Sequence, residues 1–289
     1  MMELAFLASA VRLATPLLFA ALGGVVSERS GVVNIALEGK LLAGAFAAAS
    51  VAVVTQNPWL ACAAGAAAGA IVGAIHALGG VVLRGDQIVV GVAVNLLVMG
   101  ATQFLMTMWF GSSANTPTFA GFGSSSVLGV NPLVWFGVLA VGGVHVMLRD
   151  TRFGLRLRAV GEHPDTAESL GVNAEWVRVR AVCLAGVLAG LGGAYLALDA
   201  AQFVKNMSAG RGFLALAAVI FGKWRPGGAA AACLFFGVAE AAQIRLQAVG
   251  LPTQFVQMLP YLLTMVALAG FVGRSRPPAS LGHPLPRER

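Results

Sequence analysis

The side chains best suited to bind a solute are amides and carboxylates that interrupt apolar sequence. Asn34 and Glu38 stand four residues apart in an otherwise apolar stretch from residue 13 to 54, so a helix would place both on one face. Gly31 and Gly39 bracket them and permit a helix break whose freed backbone groups could face a cavity. Two interpretations stay open: the lining of a pathway, or an ordinary polar turn.

A second polar stripe follows Arg84. Gln87, Gly91 and Asn95 are spaced four residues apart, so they would share one helix face, either lining a pathway or holding helices together. A third polar segment, 199–212, carries Asp199, Gln202, Lys205, Asn206 and Arg211, and we place it at an outer mouth. For Glu28 and Arg29 we expect an ordinary turn in which the two side chains pair.

Other kinds of chemistry are excluded by what is missing. No phosphate-binding G-x-x-x-x-G-K-[ST] loop is present, since Leu41 follows Gly39-Lys40, so this chain does not hydrolyse ATP itself. The histidines are scattered, which argues against a metal site; they are His76, His145, His163 and His283. Three cysteines lie in apolar stretches and are expected to be buried hydrophobes; they are Cys62, Cys183 and Cys233.

The elements that must position these residues are membrane-spanning helices. Of the 289 residues, 58% are hydrophobic and 11% are charged, and mean hydropathy is +0.82, too apolar for a soluble protein of this size. Spanning helices need about 20 apolar residues. This predicts an all-α integral membrane protein with about nine passes, some short or broken, at roughly 4–26, 36–56, 59–83, 88–110, 132–148, 181–200, 209–222, 228–247 and 254–272.

Basic residues predict the orientation. The formal net charge is +7, but no arginine-rich face interleaved with aromatics indicates nucleic-acid binding. Placing loop 149–180 in the cytoplasm puts 14 of the 19 Lys and Arg residues on that side. We therefore expect the N-terminus outside and the C-terminus inside. Residues 1–273 would form the transmembrane domain and 274–289, rich in Pro and Arg, a disordered cytoplasmic tail.

The inner loop 149–180 looks structured, because it holds 11 of the 31 charged residues. Pro164 suits a first helical turn, Asp165 and Glu168 suit an N-terminal half, and Gly171 can end a helix. We expect a short amphipathic helix on the cytoplasmic face, with a plain solvated loop as the alternative. Glycines repeated every four residues predict close helix packing; they are Gly65, Gly69 and Gly73, and Gly186 and Gly190.

Three stretches together resemble the permease subunits of bacterial ABC importers, in the branch of branched-chain amino-acid, ribose-type sugar and nucleoside systems. They are GVVNIALEG (31–39), RFGLRLRAVGEHP (152–164) and GRGFLALAAVIFG (210–222), the last followed by Pro226-Gly-Gly. The resemblance spans about residues 13–270. Ser27-Glu-Arg-Ser-Gly before Asn-Ile-Ala-Leu-Glu-Gly is most similar to the nucleoside-type permeases. His163 departs from the Asn of many relatives.

The resemblance implies a type II-like importer permease with partners. These would be two ATPase subunits that carry ATP and Mg, a second homologous permease, an outer substrate-binding protein, often a lipoprotein, and a small-molecule solute. No cofactor is expected on this chain. The inner loop would dock on the ATPase through a coupling element that comprises Val160, Gly161, Glu162, His163, Pro164, Asp165, Glu168 and Gly171.

We therefore predict a permease subunit in the bacterial cytoplasmic membrane that moves a nucleoside or purine-like solute by alternating access. Asn34, Glu38, Gln87 and Asn95 would line the pathway, and Phe46, Trp109 or Phe119 could stack a base or simply pack. An amino-acid or sugar permease of the same fold is an alternative. A self-contained secondary transporter, using Glu38, Asp199 or Glu240, is a weaker one because no paired relay is present. A membrane-embedded enzyme is weaker still, since no converging His, Asp and Ser groups are found.

Overall fold

The structure, a computed structural model, describes residues 2–122, 131–247 and 276–285. Within these ranges the regular structure is helical, apart from an isolated bridge between Asn115 and Val204. The helices are α1 (Met2–Glu28), α2 (Leu37–Thr55), α3 (Pro58–Ala77), α4 (Gln87–Phe110), α5 (Pro132–Asp150), α6 (Arg152–Glu162), α7 (Pro164–Ser169), α8 (Ala174–Ala200), α9 (Arg211–Phe221) and α10 (Pro226–Gln247). A π-helical turn, Leu78–Val82, prolongs α3.

Seven of these helices are long and apolar enough to cross a membrane: α1, α2, α3 with its π turn, α4, α5, α8 and α10. They confirm the all-α membrane architecture. The apolar run predicted at 209–222 is the 11-residue helix α9, too short to cross alone. The run predicted at 254–272 lies outside the described residues. The run at 181–200 starts earlier, because α8 extends back to Ala174 and includes Arg178.

Polar residues and prolines fix several helix starts. Asn57, Asp86 and Asn173 accept hydrogen bonds from the first free backbone N–H groups of α3, α4 and α8, which would otherwise lack partners. Pro58 and Pro132 open α3 and α5, at the position where a missing N–H costs nothing. These local signals explain why the predicted and observed starts of most spans agree closely.

The glycine repeats bring α3 and α8 into backbone contact, which confirms the packing prediction. A Cβ at Gly69 would overlap the carbonyl oxygen of Gly186, and one at Gly190 would overlap that of Gly65. Gly73 lies against Val182 in the same crossing. Because α8 also packs against α1 and α2, it forms the centre of the bundle.

The chain between α1 and α2 enters the membrane as irregular backbone. Gly31, with φ +92°, lies beside Arg178 near the start of α8, whereas Leu41 packs on Gly193. Residues 178 and 193 of α8 are about 22 Å apart along the helix, from a rise of 1.5 Å per residue. The segment 32–36 therefore covers part of the length of α8 as irregular backbone, and α2 starts partway along the helix bundle.

The tail is a correction to the sequence analysis. Pro and Arg content predicted disorder for 274–289, but residues 276–285 form turns that pack against the bundle. The Ser280 hydroxyl group is a donor within hydrogen-bond distance of two carbonyl oxygens, those of Val160 and Gly161. Arg178, 1% exposed, donates to the carbonyl oxygen of His283 at 2.8 Å and to Ser280 Oγ at 3.0 Å. These tertiary contacts order a segment that composition alone describes as loose.

Candidate functional site

The polar stripe of α4 holds the irregular segment before α2. Gln87 Oε1 accepts a hydrogen bond from the N–H of Val33 at 2.8 Å. Asn95 accepts from the N–H of Gly39 at 2.7 Å and donates to the carbonyl oxygen of Ile35 at 3.0 Å. Backbone groups outside a helix need such partners inside a membrane. Gln87 and Asn95 therefore stabilise the break, which favours the helix-holding interpretation for these two contacts.

Glu38 joins two helices that begin inside the bundle. It lies in the first turn of α2, and its carboxylate accepts from the N–H of Gly210 at 2.8 Å and of Gly212 at 2.7 Å. Those N–H groups form the start of α9, where Gly210 takes a left-handed φ of 83°. A carboxylate at this place satisfies unpaired donors and complements the helix dipole. The starts of α2 and α9 thus meet at Glu38.

Asn34 does not share a helix face with Glu38, so that part of the spacing argument is wrong. The residue lies in the irregular segment before α2, and its Oδ1 accepts from Lys40 Nζ at 2.6 Å. Lys40 Nζ also lies 3.1 Å from His76 Nδ1 of α3. All three residues are 0% exposed. They form a buried cluster, which we call the Asn34–Lys40–His76 triad.

The triad has unused hydrogen-bonding capacity. Within the described residues Asn34 Nδ2, His76 Nε2 and Gln87 Nε2 have no hydrogen-bond partner. A Cβ placed at Gly80 would lie 3.9 Å from His76 and 3.6 Å from Gln87, so these two side chains are close neighbours. Unpartnered polar atoms are costly when buried. At this end of the break, a polar solute or a water molecule would therefore find hydrogen-bond partners.

Lys40 and His76 were missed as site residues by the sequence analysis. Both interrupt apolar runs at membrane depth, where an ionisable side chain is a functional candidate by default. That signal was available, but their meeting was not, because the two residues are 36 positions apart. Asn34 and Glu38 lie in segment 33–39, and Gln87 and Asn95 bond to the backbone of that segment. None of the described hydrogen bonds joins two of these four predicted pathway residues.

A cavity of about 230 Å³ lies next to this site. Leu42 and Met99 form part of its wall, each one turn beyond Glu38 and Asn95 respectively. Gln103, Lys205 and Asn206 add polar groups to it. The predicted base-stacking residues Phe46 and Trp109 instead stack on each other with ring centroids 5.8 Å apart, and Phe119 is buried, so the packing interpretation holds for those contacts.

The third polar segment forms ion pairs around a larger cavity of about 370 Å³. Arg12 of α1 contacts both oxygens of Asp199, at 3.2 and 3.1 Å. Arg211 Nη2 lies 2.9 Å from Glu240 Oε1. Tyr195 and Ser9 also line this cavity. The candidates Asp199 and Glu240 are therefore each engaged by a guanidinium group.

The expected pairing of Glu28 with Arg29 is wrong. Glu28 is 2% exposed, and its Oε2 accepts from Trp224 Nε1 at 2.6 Å. Burial favours this neutral donor, because a carboxylate inside the bundle needs a directed hydrogen bond. Arg29 lies near other charged groups, namely Arg158, Glu162 and Arg225.

The inner loop contains two helices rather than one. The first, α6, ends with Val160, Gly161 and Glu162. The second, α7, begins at Pro164 and carries Asp165 and Glu168 at exposed positions. The chain turns at His163 and leaves α7 at Gly171, with φ +80°. Val160 and Gly161 are buried, so the exposed part of the predicted docking element begins at Glu162. Glu162 Oε2 accepts from the N–H of Ala279.

The residue types that could ligate a metal, and the cysteines, are dispersed in the described part of the chain. No group of three or more His, Cys, Asp or Glu residues is arranged to hold a metal ion in the ranges that the structure describes. The cysteines there are free thiols, with Cys62 and Cys233 buried and Cys183 partly buried. They occupy apolar helix positions, as expected for small hydrophobes.

Comparison with known proteins gives the family. The model for the branched-chain amino acid transport system / permease component matches residues 6–268. The chain is 40% identical to the guanosine ABC transporter permease protein NupQ of Bacillus subtilis, over 94% of this chain and 93% of the relative. It is 38% identical to the nucleoside ABC transporter permease protein NupC of Lactococcus lactis, over 93% and 92%.

A third relative is the putative glucose ABC transporter permease protein TsgC13 of Haloferax volcanii, 36% identical over 83% of this chain and 77% of the relative. The family match and the high coverage agree with the all-helical membrane architecture described above. On these grounds the chain belongs to the family of branched-chain amino acid transport system permease components.

Proposed function

We propose that the protein is a permease subunit of an ATP-binding cassette importer that moves nucleosides or purine-like solutes. The observation that carries the choice of solute is the match to the guanosine and nucleoside permeases over 93% or more of this chain. A permease for simple sugars is the second candidate, favoured by the glucose-named relative. These relatives do not support the alternative of a secondary transporter, because each is named as an ABC transporter permease.

The pathway is proposed to pass the break between α1 and α2. The starts of α2 and α9 meet at Glu38, and discontinuous helices with such starts are a recurrent way to build solute sites in membranes. Asn34 and Gln87 retain free amide N–H groups, which suit the acceptor atoms of a base or a ribose. The 230 Å³ cavity, whose wall begins one helical turn beyond Glu38 and Asn95, is proposed as the approach to this break.

A second permease is proposed to complete that pathway. Helix α4 carries large exposed apolar side chains along most of its length, including Val89, Leu96, Phe104 and Met108. Such a surface faces lipid or a partner. Since α4 also borders the cavity, a partner helix here would close it from the open side. We further propose an outer substrate-binding protein, an outer N-terminus and an inner C-terminus.

Helix α7 is proposed to dock on a separate ATPase subunit, which would carry ATP and Mg. Asp165 and Glu168 are exposed on it, and Leu170 beyond its end is 80% exposed. This combination of an apolar anchor and surrounding charge is typical of protein interfaces. No catalytic role is proposed for this chain.

The first test is a mild-detergent pull-down of the tagged chain from its native membrane, with mass spectrometry of its companions. Recovery of an ATPase and a second permease supports the proposal, and uptake of labelled guanosine, ribose and leucine by the reconstituted complex then identifies the solute. Recovery of the chain alone, with solute uptake unaffected by ATP, contradicts it. Preferred uptake of ribose over guanosine would move the sugar alternative to first place.

Two variants separate the pathway from the docking surface. Asn34→Ala should reduce uptake while leaving the complex assembled, whereas Asn115→Ala, in an exposed loop, should leave both unchanged. Asp165→Ala with Glu168→Ala should weaken ATPase association, with Asp150→Ala and Glu175→Ala as the control from the same loop. Glu162 is left intact, because its contact with the tail would confuse the result. Normal uptake by Asn34→Ala would assign that residue to packing alone.

A further inference from the structure

A basic cavity of about 240 Å³ lies where three membrane spans end. Its wall contains four arginines and a histidine beside Trp224: Arg29, Arg149, Arg158, Arg225 and His145. Arg29 follows the end of α1, Arg149 is in the last turn of α5, and Arg225 precedes α10. Because these are the ends of membrane spans, the cavity lies at the depth of the lipid headgroups.

Three of the four arginines of this cavity lack an ion-pair partner among the described residues, although Arg158 Nη2 donates a hydrogen bond to the carbonyl oxygen of Arg149 at 3.3 Å. In the described ranges no ion pair involves Arg29, Arg158 or Arg225, and the pair of Arg149 with Asp150 is long, at 3.7 Å, and exposed. The Nε atoms of Arg29 and Arg158 are buried without a hydrogen-bond partner. Burial and the charge of Arg158 lower the pKa of Arg29, with Arg225 adding to the effect.

Neighbouring carboxylates do not neutralise the cluster. Glu28 is occupied by Trp224 Nε1, and Glu162, which favours the charged form of Arg29, accepts a hydrogen bond from the tail. Apart from Asp150, which lies beside Arg149 at the exposed edge, the carboxylate that acts on this cluster is Glu162, and it is already engaged. The start of α10 at Pro226 adds the positive end of a helix dipole to the same wall.

We propose that this cavity binds a phosphate group, supplied by the headgroup of an anionic membrane lipid. Guanidinium groups are donors matched to phosphate oxygens, two N–H groups to two oxygens. A cavity of this size at headgroup depth admits a phosphodiester while its acyl chains stay in the bilayer. Basic pockets between membrane helices bind acidic lipid headgroups in this way.

The bound phosphate would hold together elements that otherwise repel one another. Arg29 lies at the start of the break, Arg158 on α6, and Arg225 on the turn between α9 and α10. Neutralising them would stabilise the contact between the inner loop and the helix break. The site is independent of the solute proposed above, since it uses none of the predicted pathway residues.

The test measures lipid retained by the full-length chain, and its thermal stability, after purification in mild detergent. Native mass spectrometry would count bound phosphatidylglycerol, and unfolding would be followed while dioctanoyl phosphatidylglycerol, dioctanoyl phosphatidylcholine or inorganic phosphate is added. Arg29→Gln with Arg158→Gln removes two donors from the cavity. Arg152→Gln with Arg156→Gln makes the same charge change on exposed positions of α6.

We expect phosphatidylglycerol to stabilise the wild-type chain and the control more than phosphatidylcholine does. The Arg29/Arg158 variant should bind it about thirty-fold more weakly, which corresponds to roughly 2 kcal/mol for two guanidinium groups. If that variant fails to fold, Arg225→Gln, at an exposed position, provides the measurement. Stabilisation by inorganic phosphate alone would keep the phosphate site but assign it to a soluble ligand. Equal effects of both lipids, or equal losses in variant and control, would overturn the site.

Discussion

Replacement of Glu38 by glutamine should destabilise the protein, because its carboxylate holds the start of α9 to the start of α2. Both oxygens accept backbone hydrogen bonds, at 2.8 and 2.7 Å. Glutamine keeps one acceptor oxygen and turns an N–H₂ donor towards the other backbone N–H. One charge-assisted hydrogen bond, worth about 1.5–3 kcal/mol, is lost, and the favourable interaction with the dipole of α9 is lost with it.

The expected loss of about 2–3 kcal/mol corresponds to a Tm lowered by roughly 5–10 °C, from the usual shift per kcal/mol in chains of this size. The assay is thermal unfolding of the purified chain in detergent, with solute uptake measured in parallel. Glu3→Gln is the matched control, because Glu3 is exposed in the first turn of α1. It should leave the Tm unchanged.

Two results would refute the reasoning in different ways. A Tm of Glu38→Gln within a degree of wild type would mean that the carboxylate does not hold α9. An unchanged Tm combined with lost uptake would mean that Glu38 acts on the solute directly. A lowered Tm with uptake preserved at low temperature would confirm that its role is to fix the helix starts.

Three further substitutions test other contacts. Lys40→Met should lower uptake at least about tenfold. It should also lower the Tm by several degrees, because Asn34 Oδ1 and His76 Nδ1 are left buried without their partner, at a cost of about 1–3 kcal/mol. A normal uptake rate would contradict a role for the triad. Gly69→Leu should prevent folding, since any side chain there overlaps Gly186. Gly100→Leu is the control and should be tolerated, because nothing lies within 4 Å of its Cβ position. Monodispersity on size-exclusion chromatography measures both. Arg178→Lys should lower the Tm by several degrees. Its three acceptors are each reached by a different guanidinium nitrogen, and the single ammonium nitrogen of lysine cannot reach all three positions. An unchanged Tm would show that the tail is held by other contacts.

The spans were predictable because the bilayer fixes both the length and the polarity of its helices. The break near Gly31 was predictable too, since polar residues and glycines interrupt an apolar run. The conformation inside the break was not. Asn34 and Glu38 fit a helical spacing, but the backbone around Asn34 is irregular. Its neighbours Val33 and Ile35 bond to α4, and Asn34 itself bonds to Lys40 of α2. Spacing arguments assume a regular helix, and the break removes that assumption.

Partners distant in the chain account for the remaining differences. The acceptor of Gly210 and Gly212 is 172 to 174 residues away, and Arg178 reaches the tail across more than 100 residues. No local pattern encodes such pairings. Composition likewise described the tail as loose, whereas the buried guanidinium of Arg178 needs carbonyl and hydroxyl acceptors, and the tail supplies them.

These contacts connect the inner loop to the proposed pathway through very few residues. Gly161 at the end of α6 packs directly on the carbonyl oxygen of Arg29. The chain then runs from Gly31 through irregular backbone to Glu38, which fixes α9. An ATPase that moved α6 and α7 would therefore pull on a short segment held by side-chain hydrogen bonds rather than by a continuous helix. Such bonds keep a low net cost only if each buried group finds a new partner when it leaves the old one, so a second position of the break would need alternative partners for Val33, Ile35 and Gly39.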